Sequence, residues 1–217
     1  MALQIENVTC RRGGRLVLSD LSCQVADGEA LVIRGPNGVG KSTLLRCLAG
    51  MIPIERGSVN LGDISLADRG LMQEQIVYSG HLDAVKPSLT VRQNLDFWAK
   101  ILGDGGRVDA ALAYFQLDGI SPRPAAQCSA GQKRRLALAR LMVVQRKLWL
   151  LDEPTVSLDA ASSALVAAMI RDHCAGGGIA LVATHIDLDL GEAAVLQMVP
   201  PTQTDPQEDA FLTGAWT

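Results

Sequence analysis

The stretch GPNGVGKST, residues 35–43, constrains this chain more than any other. It fits the spacing G-x-x-x-x-G-K-[ST], which is informative only where a strand runs into it and a helix leaves it. Both conditions are expected here. ALVIR at 30–34 is a short aliphatic run of strand type. From Lys41 onward Leu44, Leu45 and Leu48 recur at helical spacing, until Gly50 and Pro53 stop the helix. Gly35, Gly38 and Gly40 let backbone N–H groups turn inward around a β-phosphate, and the helix N-terminus adds a favourable dipole. Pro36, Asn37, Val39 and Thr43 complete the wall of this cradle. Lys41 would reach the β- and γ-phosphates, and the Ser42 hydroxyl would coordinate Mg²⁺.

KLWLLD at 147–152 is an apolar run that ends in Asp152, with Glu153 directly after. A buried strand that stops on two carboxylates can supply both roles a phosphate site lacks. Asp152 would hold Mg²⁺ through its hydration shell, and Glu153 would polarise an attacking water. General-base assistance of that kind contributes ~10²–10⁴-fold. GIALVAT at 178–184 reads as another buried strand, and His185 follows it. In an open α/β sheet, ligands lie beyond the carboxyl ends of the strands. His185 would there hydrogen-bond the γ-phosphate.

CSAGQKRR at 128–135 is a second element of anion-binding type. Ser129 is expected at a helix N-terminus, with Gly131 and Gln132 beside it and the basic triplet Lys133, Arg134, Arg135 next. It falls within a helical stretch that is not expected to fold back onto its own glycine loop. Two copies arranged head to tail resolve this. Each Ser129 surface would cover the nucleotide in the other copy, so that ATP joins the subunits and its hydrolysis releases them.

The rest of the chain supplies the frame. Residues 3–8 and 16–25 read as strands separated by turn signals, 57–63 as a strand and turn, and 75–80 as a strand. Between about 88 and 145 the period becomes helical, with Thr90 as an N-cap ahead of Leu95, Trp98 and Leu102. A helix is expected over 160–173. Strands, then a helical insertion, then strands imply an α/β core at 1–80 and 146–200, a helical subdomain at 81–145, and a Pro-, Gln- and Thr-rich tail at 201–217. The tail's FLTGAW could dock apolar side chains. A hydrophobic content of 48% with only 4% aromatics means an aliphatic core. The net charge of −3 gives no reason to expect nucleic acid. Five singly placed cysteines suggest neither zinc nor disulfides. No signal segment or membrane-spanning run is seen, so a soluble cytoplasmic protein is expected.

In order and spacing this set resembles the ATP-binding subunits of ABC transporters over nearly the whole chain. The resemblance implies a P-loop NTPase (RecA-like) core, an antiparallel β subdomain and an inserted α-helical subdomain. GPNGVGKST resembles Walker A, LWLLDEP Walker B, CSAGQ the signature and SLD the D-loop, whose Asp159 would communicate across a homodimer. His185 resembles the H-loop switch. Cys128 and Ala130 replace a Leu and a Gly of the usual signature. His81, in YSGH, stands where most relatives have Gln; it is expected to tune coupling and to tolerate Gln. Arg12 aligns where an aromatic residue usually stacks on adenine, and its planar guanidinium can stack too. His81, the Ser-Ala-Gly-Gln signature and Trp149 together resemble the haem-exporter ATPases of cytochrome c biogenesis, the CcmA family.

That branch implies ATP and Mg²⁺ as ligands, with an integral-membrane permease and other cytochrome c maturation proteins as partners. It also implies a place on the cytoplasmic face of the bacterial inner membrane. The coupling surface would lie in 81–102, with Leu89, Phe97 and Trp98 able to seat a permease helix or to fill the subdomain core. Three other readings stand beside it: a soluble mechanical ATPase of DNA repair or translation, the ATPase of a different exporter, and a non-hydrolysing ATP-gated module. The first would usually bring tandem ATPase domains, coiled-coil inserts or basic extensions, and the last would lack Glu153.

Overall fold

Aliphatic runs that are apolar on both faces are the mark of strands buried between two layers. The computed structural model, which describes residues 1–80, 82–102 and 107–201, uses them in that way. His81 and the stretch from 202 onward, which includes FLTGAW, lie outside the described residues. β3 (Ala30–Arg34), β6 (Ile76–Ser79), β7 (Leu148–Asp152), β8 (Ile179–Ala183) and β9 (Ala194–Gln197) form one sheet in the order β6-β7-β8-β3-β9. Every pairing in it is parallel. Along β7, Leu148 and Leu150 point into one core and Trp149 and Leu151 into the other. The strand period of two therefore divides a single apolar run between two layers.

One layer holds α1 (Lys41–Leu48) and an antiparallel sheet in the order β2-β1-β4-β5. That sheet is built from β1 (Leu3–Arg12), β2 (Arg15–Val25), β4 (Arg56–Leu61) and the short β5 (Ile64–Ser65). The other layer holds α6 (Ala160–Ala175) with α3 (Val91–Leu102), α4 (Val108–Tyr114) and α5 (Ala130–Val143). A short helix α2 (Arg69–Gln75) precedes β6.

Thr90 caps α3 in a reciprocal box: its Oγ1 accepts from Gln93 N at 3.1 Å, while its own N donates to Gln93 Oε1 at 2.9 Å. Behind it, buried Asn94 accepts from Lys86 N and donates to the carbonyls of Lys86, Leu89 and Thr90, which fixes the approach to the helix. Leu89, Phe97 and Trp98 are half-buried. Trp98 carries the Arg140 guanidinium 4.7 Å from its ring centre, and Phe97 the Lys86 ammonium at 4.5 Å. Leu82, in the segment before α3, is 85% exposed.

Candidate nucleotide site

The parallel order brings three loop starts together. Ile33 of β3 and Asp152 of β7 both pair with Ala183 of β8, so the strands end in one row. Gly35, Glu153 and His185 leave from that row at the sheet's carboxyl end, where open α/β sheets bind ligands.

The glycine loop is tight against its surroundings. Gly40 has φ 112°, which favours glycine, and a Cβ there would stand 2.9 Å from Val17 Cγ1 of β2. A Cβ on Gly35 would meet the Met198 carbonyl oxygen at 2.6 Å. Val39, Gly40 and Thr43 are buried, while Pro36, Asn37 and Gly38 are less enclosed. Buried Lys41 donates from Nζ to the carbonyls of Gly35 at 2.8 Å and Pro36 at 3.2 Å, which places its ammonium inside the turn.

Ser42, at the start of α1, donates to Asp152 Oδ1 at 2.9 Å. The other carboxylate oxygen accepts from Tyr78 Oη at 3.3 Å, and Tyr78 Oη accepts from Arg46 Nε at 3.4 Å. Burial pushes the Tyr78 phenol above its ordinary value, so it stays a neutral donor to the carboxylate. A hydroxyl and a carboxylate side by side are a hard-oxygen pair. They suit Mg²⁺, which keeps several waters and takes one or two protein oxygens beside substrate phosphates. The donor chemistry fits that ion.

Glu153 is held in a conformation that few non-glycine residues adopt, at φ 49°. Its N donates to the Ala183 carbonyl at 2.8 Å, pinning the turn to β8. His185 Nδ1 donates to Glu153 Oε2 at 3.0 Å, since a carboxylate can only accept. The sequence assigned these two residues separate roles; the fold puts them in contact.

At the start of α5, Ser129 Oγ accepts from Gln132 N at 3.2 Å and Gln132 Oε1 accepts from Ser129 N at 2.9 Å. This capping box uses one lone pair of the Ser129 hydroxyl and leaves its proton to donate outward from an exposed position. The first intrahelical bond is Lys133 N to Ser129 O, so the Ala130 and Gly131 N–H groups lie ahead of it in the helix's first turn. Gly131 is a close approach as well: a Cβ there would stand 3.2 Å from the Ser157 carbonyl. Asp159 caps α6 by accepting from Ser162 N at 2.7 Å, and hydrogen bonding from the Ser162 side chain, then from its backbone, holds its carboxyl below the usual range.

The basic triplet does not form an anion patch. Arg134 turns inward onto backbone carbonyls and Arg135 donates to the Phe115 carbonyl at 3.0 Å, so these two cations brace the fold. Arg12 ends β1 at an exposed hairpin tip opposite Arg15. Val17 and Leu18 of β2, not Arg12, lie against Gly40. Tyr78 reads in the sequence only as part of a strand, and Arg134 only as part of the basic triplet.

Comparison with known proteins agrees with this geometry. The family described as ABC transporter matches residues 18–156. The cytochrome c biogenesis ATP-binding export protein CcmA of Cereibacter sphaeroides is 47% identical over 216 residues, covering 97% of this chain and 98% of the relative. The CcmA proteins of Rhodobacter capsulatus and Paracoccus denitrificans are each 50% identical, over 94% and 91% of this chain and 91% and 89% of their own lengths. The chain belongs to the CcmA group of ABC transporter ATP-binding subunits.

It is an ABC ATPase, a family whose ATP hydrolysis is coupled to transport. The fold agrees with solved ABC structures. The ATP-binding subunit of an ABC transporter superposes with a TM-score of 0.83 at 23% identity, over 99% of this chain and 95% of that one. The ATP-binding cassette MJ0796, solved as a dimer bound to ADP and Pi, gives 0.78 at 22%, over 90% and 94%. No helix among the described residues is long and apolar enough to cross a membrane.

Proposed function

We propose that this CcmA-type subunit works as a head-to-tail ATP-bound dimer on the cytoplasmic face of the bacterial inner membrane. There it drives an integral-membrane permease of cytochrome c biogenesis, for haem export or for release of haem from its carrier complex. The observation that carries the dimer is Ser129. It is an exposed helix cap whose hydroxyl proton meets no acceptor among the described residues, at the first turn of α5.

In this reading Gly35–Thr43 and Lys41 hold the β- and γ-phosphates, and Ser129, Gly131 and Gln132 of the other copy close over the γ-phosphate. Ser42 and Asp152 would hold Mg²⁺, which when bound would neutralise charge on the phosphate oxygens. Glu153 orients the attacking water and accepts its proton as the water oxygen bonds to the γ-phosphorus. The bond from that phosphorus to the bridging oxygen breaks, and ADP and phosphate leave. His185 keeps the Glu153 carboxylate aimed through Nδ1, and in the imidazolium form its Nε2 would donate to the γ-phosphate. Asp159 stiffens the start of α6 beside the loop that Gly131 packs against.

The permease would meet the surface around Leu82 and the approach to α3. Trp98, engaged with Arg140, acts from inside the subdomain. The test is direct. Wild-type protein should hydrolyse ATP with Mg²⁺, and Glu153→Gln should lose at least ~10²-fold in rate while sedimenting as a dimer only when ATP is present. A Glu153→Gln protein that turns over normally removes Glu153 from the base role. One that stays monomeric with ATP removes the dimer.

A further inference from the structure

Arg134 stands two residues beyond Gln132 on α5 and is only 4% exposed. A guanidinium this deep is costly unless its donors are matched. Here three of the five bonds it makes go to one short piece of backbone. Nε donates to the Pro154 carbonyl at 3.0 Å; Nη2 donates to the carbonyls of Glu153 at 2.7 Å and Asp152 at 3.3 Å. Nη1 donates to the Gly80 carbonyl at 3.0 Å and to Asp83 Oδ1 at 2.9 Å. Three consecutive carbonyls, those of residues 152–154, thus converge on a single planar group.

Those carbonyls flank the place where Glu153 takes its positive φ. A strained turn of this kind persists only where its surroundings over-determine it. The β8 side supplies one restraint through Glu153 N to Ala183 O. Arg134 supplies the other, from a helix whose N-cap is Ser129. The same rigid element therefore carries the exposed phosphate-facing cap at its start and the grip on the general base one turn later.

We propose that Arg134 is a positioning residue: it fixes the Glu153 turn and links its geometry to the docking of α5 against the partner's nucleotide. The inference rests on the ATPase reading given above. It makes hydrolysis in each copy depend on where that copy's own signature helix sits, so that Glu153 is aligned once α5 is seated in the dimer. Lysine cannot replace this grip, because one ammonium nitrogen cannot span Pro154, Glu153 and Gly80 together.

The experiment uses the full chain and the Arg134→Lys variant, comparing steady-state hydrolysis with binding of a fluorescent ATP analogue. kcat should fall on the order of 10²-fold, the cost of a small misplacement of a reacting group. KM and analogue affinity should stay within about twofold, as expected when an interaction is felt only in the transition state. In the Glu153→Gln background the Lys variant should still dimerise with ATP. If Lys is not tolerated by the fold, Asp83→Asn loosens one corner of the guanidinium and should lower kcat several-fold at constant KM. Unchanged kcat overturns the proposal, and so does a parallel loss of kcat and ATP affinity, which marks a structural role alone. Wild-type protein that fails to hydrolyse ATP sinks the underlying reading instead, and the clamp with it.

Discussion

The proposed dimer gives Ser129 two functions that one substitution can separate. Its side chain caps α5, and in that dimer its hydroxyl would face a phosphate. Ser129→Ala removes both. The cap alone is worth ~1 kcal/mol, within a range of about 0.5–2, so the alanine variant should unfold at lower denaturant and also dimerise poorly. Ser129→Asp is the sharper perturbation. Aspartate is as good an N-cap as serine, and its charge near a helix N-terminus is favourable. The folded monomer should therefore match wild type within about 0.5 kcal/mol, the usual span for surface changes.

The same carboxylate would face the partner's γ-phosphate. Two unit charges about 4 Å apart in a partly wet interface, at an effective dielectric constant of about 20, repel by ~4 kcal/mol. That corresponds to roughly a thousandfold in dimer affinity per site, since each 1.4 kcal/mol is tenfold. The assay is sedimentation velocity of Glu153→Gln/Ser129→Asp with ATP and Mg²⁺, alongside urea unfolding of the Ser129→Asp chain. A stable monomer that no longer dimerises is expected. A dimer as tight as that of Glu153→Gln alone would show that Ser129 does not face phosphate, and a destabilised monomer would show that the capping argument fails.

Two further outcomes follow from the geometry. The His173 ring stacks on Trp149 with centroids 3.8 Å apart, and burial holds its pKa below the ordinary value. The unfolded chain then binds the extra proton first, so stability is lost as pH falls from the unfolded-state value near 6.5 toward the folded one. The drop in urea midpoint between about pH 7.5 and about pH 5.5 should be smaller in His173→Phe, which keeps the stack and cannot titrate; an equal drop would remove His173 as a source of acid sensitivity. Leu82→Asp, at an exposed position, should leave stability and basal hydrolysis unchanged and weaken recovery of the permease from solubilised membranes. Unweakened recovery would move the contact away from Leu82.

What the sequence made legible shared a physical feature: the signal was local. The glycine loop is defined by backbone conformation and by the strand and helix on either side. KLWLLD is apolar on both faces because β7 lies between two layers. Thr90 and Ser129 read as helix N-termini, and the fold closes each into a capping box with Gln93 and Gln132. Tyr78 and Arg134 were not legible, because their partners lie 74 and about 20 residues away and, for Arg134, are mostly backbone carbonyls that leave no mark in composition. Lys133-Arg134-Arg135 looks like a cationic surface until the helix turns two of the three inward. Trp149 was noticed as a branch marker, but only the fold shows it stacked on His173. β9, an edge strand with exposed Ala194, Val195 and Gln197, lacks the buried pattern that revealed β3, β7 and β8.

The central claim is that this ATPase closes as an ATP-bound dimer on a permease of cytochrome c biogenesis. Its most direct test is recovery of tagged Glu153→Gln protein from detergent-solubilised membranes with ATP and Mg²⁺, followed by mass spectrometry of what accompanies it. A small multi-spanning permease together with cytochrome c maturation proteins, recovered only with ATP, is the expected result. An unrelated permease would contradict the pathway, and a dimer accompanied by no membrane protein, or by ribosomal or DNA-bound proteins, would contradict the coupling itself.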